Sequence, residues 1–107
     1  MTDKELLELA AKAAGIETIA WGLQFDETGW FCNPTGEHWN PLTDDGDALR
    51  LAVKLGLSPE WGGFDVEICR QSSGARNFCY VEQHDNDPYS ATRRAIVRAA
   101  AEIGRQM

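Results

Sequence analysis

This chain has no apolar run of about 18 residues, so no helix that could cross a membrane is expected. Its opening residues, Met1-Thr2-Asp3-Lys4-Glu5, lack a basic segment followed by an apolar stretch, which predicts a protein without a secretory signal and a cytoplasmic setting. Positive charge is scarce: 10 Lys and Arg face 17 Asp and Glu, for a net charge of −7. The deficit is uneven. Residues 1–87 carry 6 Lys and Arg against 16 Asp and Glu, a balance of −10, whereas residues 88–107 carry 4 Arg against 1 Glu, a balance of +3. An acidic majority excludes a generic nucleic-acid binder, because phosphate contact needs a basic surface. It leaves room for a basic protein partner, or for acidity that only keeps the chain soluble.

Histidine and cysteine are also sparse. Two histidines, His38 and His84, stand outside any catalytic motif, so a Cys–His pair built from Cys32 or Cys79 has no signature behind it. Cys32, Cys69 and Cys79 fall in predicted strands and are expected as buried, reduced thiols. Ten residues separate Cys69 from Cys79, and no further cysteine lies two to four residues from either, so a metal knuckle is not predicted. Asp44-Asp45-Gly46-Asp47 lacks the alternate ligands and terminal Glu of a calcium loop. Capping and turn roles account for Asp85 and Asp87 beside His84. Gly62-Gly63 is followed by no Lys-Ser/Thr, so no phosphate loop is present. No metal, no cofactor and no catalytic residue are expected, and the chain is not read as an enzyme.

What is present is a folded, single-domain sequence over residues 1–107, 43% hydrophobic with four Trp. Thr2 and Glu5 have capping-box spacing, and Leu6, Leu9, Ala10 and Ala13 form one helical stripe that Gly15 ends. Alternation at Trp21, Leu23 and Phe25, a turn over residues 26–29 and a return over residues 30–33 predict a β-hairpin. A polar loop over residues 34–41 leads to a second helix capped by Thr43 or Asp44. Its stripe is Leu49, Ala52 and Val53, widened by Leu51 and Leu55, and Gly56 stops it. Residues 58–63 read as loop. Phe64, Val66 and Ile68, then Phe78 and Tyr80, alternate across a second hairpin turning at residues 72–75. Asp87-Pro88 is a cap followed by proline at the first helical position, and the last helix buries Thr92, Ile96, Ala99 and Ile103.

The order is αββαββα. The simplest closure is an α+β fold: a four-stranded, mainly antiparallel sheet with three helices packed on it. The entry Trp39-Asn40-Pro41-Leu42-Thr43-Asp44 and the closing Ala95-Ile96-Val97-Arg98-Ala99-Ala100 resemble small bacteriophage and prophage proteins of the phage ABA sandwich domain family. The helix start departs from that family at Asp45-Gly46, where an aliphatic residue is expected. The resemblance implies an α/β/α sandwich encoded by a phage or prophage, and carries over no reaction and no catalytic residues.

Candidate contacts are therefore those of a binding protein. Trp39 and Trp61 stand in loops beside Gly, Pro and acids, where an indole serves either as an interface anchor or as a core filler. Asp44, Asp45 and Asp47 form an acidic helix start. Arg94, Arg98 and Arg105 share one side of the last helix, as an anion or acidic-partner site or as a solvated face. The expectation is an accessory protein that binds a host or phage protein, for instance inhibiting a host defence or nucleic-acid enzyme through its acidic surface. A nucleotide or metabolite pocket around Trp39, Trp61 and Arg94 is the alternative. The Ala-rich last helix also offers a face for a homo-oligomer.

Overall fold

The computed structural model describes residues 2–15, 31–32, 38–72, 75–83 and 87–107. Each helix starts where a side chain can occupy an orphan backbone N–H. Thr2 Oγ1 accepts from the Glu5 amide at 3.2 Å and opens α1 (Asp3–Ala13). Asp44 Oδ2 accepts from the Asp47 amide at 2.7 Å and opens α2 (Asp45–Leu55). Asp87 Oδ1 accepts from Tyr89 and Ser90 and opens α3 (Pro88–Arg105). Gly56, at φ 68°, closes α2 in the left-handed conformation.

Among the described residues, strands fall in two ladders. β1 (Phe31–Cys32) pairs antiparallel with β2 (His38–Trp39). A meander of β3 (Leu57–Trp61), β4 (Asp65–Ser72) and β5 (Ala75–Gln83) forms a three-stranded antiparallel sheet, with β4 central. Among the described residues the order is αββαβββα, so the expected order αββαββα lacks the strand β3, and a fourth strand of the meander sheet is not described. Residues 58–60, expected as loop, pair with residues 67–69 of β4. Pro59 does not prevent this, since among the described residues β3 is an edge strand whose outer side needs no N–H donor. Phe31–Cys32 takes His38–Trp39 as its partner, downstream rather than upstream. The expected strand over residues 19–25 lies outside the described residues.

Val66 and Ile68 share one sheet face, fully buried, and meet the helices in a core with Leu7, Leu51, Leu57 and Val97. Burying an aliphatic side chain of this size contributes about 1.5–3 kcal/mol. The described helices thus cover one face of the sheet, an α+β arrangement in which no helix on the opposite face is described. Helix α3 is the hub, touching α1, α2 and all three strands of the meander. Against α1 it presents small residues. Ala95, Ala99 and Ala100 are fully buried. At Gly104 a β-carbon would lie 2.0 Å from the Leu9 carbonyl oxygen, so glycine alone permits this approach. The alanine face is therefore covered within the chain. No helix among the described residues is long and apolar enough to cross a membrane.

Candidate functional site

Helix α2 carries more apolar residues than one core-facing stripe can hold. The core takes Ala48, Leu51, Ala52 and Leu55. Leu49 and Val53, expected in the buried stripe, point out instead, 63% and 73% exposed. They form one wall of a groove of about 750 Å³ between α2, α3 and β3. Trp61, 60% exposed, and Tyr89, 71% exposed, stand on the other walls, and Leu57 and Ile96 form the floor. A cluster of exposed large apolar side chains over a concave floor is the usual mark of a binding site.

The Trp61 ring is held in place. Its Nε1 donates to Thr92 Oγ1 at 2.9 Å, and that hydroxyl donates to the Pro88 carbonyl at 2.7 Å. Thr92, expected as part of a buried stripe, is thus a half-buried anchor for the indole. A fixed aromatic surface open to solvent loses little rotational freedom when a partner arrives. At the groove edge, Arg93 Nη1 binds Asp45 Oδ1 at 2.6 Å, and its Nε donates to the Leu42 carbonyl at 2.9 Å. This clamp ties the start of α2 to α3. Trp61 is thus engaged with Thr92, and Arg93 with Asp45, beside a largely apolar surface.

The remaining sequence candidates are dispersed. Asp44 caps α2. Asp47 is 9% exposed: its Oδ2 accepts from the Asn40 amide at 3.0 Å, and its Oδ1 from Arg50 Nη2 at 2.6 Å. Asn40, itself 2% exposed, accepts from the Leu42 amide through Oδ1. Pro41 is fully buried and Trp39 packs on the core. The helix-entry motif is thus a folding device, and reversal of the three Asp charges would act on the fold as well as on any binding. Arg94 meets Asp3 at 3.4 Å, away from Trp39 and Trp61. Arg98 donates to the Tyr80 hydroxyl and contacts Glu82 at 3.3 Å beside a cavity of about 260 Å³. The Tyr80 hydrogen bond, and then the Glu82 charge, hold the Arg98 guanidinium above its ordinary, already high pKa. Arg105 pairs with Glu102 at 3.2 Å. Of the expected contact residues, only Trp61 and Asp45 line the groove.

Cys69 and Cys79 are corrected from the expected reduced, buried thiols. They are directly opposed on β4 and β5 and are joined as a disulfide, with Cys69 buried and Cys79 exposed. The pairing follows from register, which sequence spacing does not reveal. The side chains of Cys32 and His38, and all of His84, lie outside the described residues.

Leu49, Val53 and Tyr89 were missed by sequence reasoning. The signal was the breadth of the apolar arc on α2, which exceeds one stripe. No family model matches the chain, and no curated protein and no solved structure matches it.

Proposed function

We propose that this protein works by binding, without catalysis, and that the groove between α2, α3 and β3 receives an apolar segment of a partner protein. The observation that carries this reading is the exposure of Leu49, Val53, Trp61 and Tyr89 around one concavity. Central aromatic anchors such as Trp and Tyr dominate protein interfaces, with surrounding apolar contacts excluding water, while rim charges contribute mainly to specificity and rate. The net charge of −7 favours a partner whose flanks are basic. A cytoplasmic role as a phage or prophage accessory factor acting on a host or phage protein belongs to the same proposal and is supported by the helix-entry and terminal-helix motifs.

The test places a photo-crosslinking residue at Tyr89 and compares the wild-type chain with a Leu49→Asp, Val53→Asp variant in bacterial lysate. The expected result is a discrete protein adduct that the variant loses while keeping its circular dichroism and melting temperature. An adduct of equal yield in the variant refutes the groove as the interface. The groove volume favours a second reading, because about 750 Å³ lies within the range of small-ligand sites. A nucleotide or metabolite that raises the melting temperature of the wild type, and not of the variant, would select that reading.

A further inference from the structure

We propose that Glu67, Cys69 and Cys79 form a zinc-type metal site when the Cys69–Cys79 bridge is reduced. The three side chains come from adjacent strands. Glu67 and Cys69 are two residues apart on β4 and share a sheet face, and Cys79 is the cross-strand partner of Cys69. One carboxylate oxygen and the two sulfurs all lie within 4.8 Å of one another. Thiolate and carboxylate ligands around tetrahedral zinc are spaced by about 3.5–3.8 Å, given metal–ligand distances of about 2.0–2.3 Å. Side-chain rotation of the parted sulfurs therefore suffices, and the strands keep their register.

The contact between Glu67 and Cys69 supports the same reading. Glu67 Oε1 lies 3.0 Å from Cys69 Sγ. In the bridged form that sulfur carries no proton, so a carboxylate faces a sulfur that cannot donate to it. In the reduced form the thiol donates a hydrogen bond, and with a cation bound the two atoms become neighbouring ligands. The site is also accessible. Cys79 is exposed and Cys69 is buried, so an ion enters from the Cys79 side and keeps a solvent-facing position for water. Two thiolates and one carboxylate favour zinc over hard cations such as magnesium.

The chemistry balances with a thiol as reductant. Two thiols reduce the bridge, giving the Cys69 and Cys79 thiols and one external disulfide. Both thiols then pass their protons to the buffer as one divalent ion binds. Ion binding is thus gated by the redox state of the surroundings, and thiols remain reduced in a cytoplasm.

The test uses the full chain, reduced and freed of reductant without air, and titrated with cobalt(II) and then zinc(II). The expected result is one cobalt per chain with a near-ultraviolet sulfur-to-cobalt charge-transfer band, displaced by zinc and absent from the oxidised protein. Cys79→Ser should abolish the band and Cys32→Ser should retain it. Glu67→Gln should weaken binding at least about tenfold. As a readout independent of variant folding, zinc should slow alkylation of Cys69 and Cys79 in the reduced wild type, mapped by mass spectrometry. No band in the reduced wild type, a band that survives Cys79→Ser, or alkylation indifferent to zinc would each overturn the proposal and leave a simple structural bridge.

Discussion

Helix α3 packs on α1 and on α2 in two contrasting ways. Toward α1 it offers alanine and glycine, and the backbones approach until Gly104 rests on the Leu9 carbonyl. Toward α2 it offers Tyr89, Thr92, Arg93 and Ile96, which line a groove beside the contact between the two helices. Small residues close one seam completely. The other has large residues along it and leaves Leu49 and Val53 in solvent. The closed seam stabilises the fold, and the open one exposes apolar surface that a second molecule can cover.

The sharpest way to break this contrast is to add one carbon to the closed seam. Gly104→Ala places a β-carbon 2.0 Å from backbone, which no side-chain rotation relieves. A loss of about 3 kcal/mol is expected, at the upper end of overpacking costs, read by urea denaturation. Next comes the junction that positions α2. Asp47→Ala leaves the buried Asn40 amide without its carboxylate acceptor, and a loss of about 2 kcal/mol is expected in the same experiment. Asp87→Ala removes the cap that holds the first turn of α3, from which Tyr89 and Thr92 face the groove. A loss of about 1 kcal/mol is expected, with faster amide exchange confined to that turn. The smallest effect on stability belongs to the open seam. Leu49→Ser with Val53→Ser should change the unfolding free energy by less than about 0.5 kcal/mol for each site, because neither side chain belongs to the core. The same pair should abolish partner binding, so a variant that folds well and binds nothing separates the two seams.

The local elements were more legible in the sequence than either seam, and the alanine face of α3, expected as a surface for a second copy, is covered by α1. Capping at Thr2, Asp44 and Asp87 and the hairpin of β4 and β5 are local signals, and each stands where the pattern placed it. Leu49 and Val53 misled, because an apolar arc has the same periodicity whether its edge packs inward or meets a groove. β3 was hidden by Pro59, whose tolerance depends on an edge position that only the assembled sheet defines. Trp61 could be singled out, but the hydrogen bond to Thr92 that fixes it spans 31 residues and has no local trace. The Cys69–Cys79 pairing depends on strand register in the same way. Arg94 and Arg98 are one turn apart on α3, yet they meet acids from different elements, Asp3 and Glu82.

The contact between α1 and α3 also has a consequence in time. Asp3 and Arg94, which meet across that seam, are 91 residues apart in the chain. The meander pairs close neighbours, with Cys69 and Cys79 only 10 residues apart. Short loops close faster than long ones, so β3, β4 and β5 can pair before the helical seam exists. On the ribosome, α1 is made early, and its apolar face has no seat until α3 has emerged. The seam between α1 and α3 therefore closes only after the meander has been made.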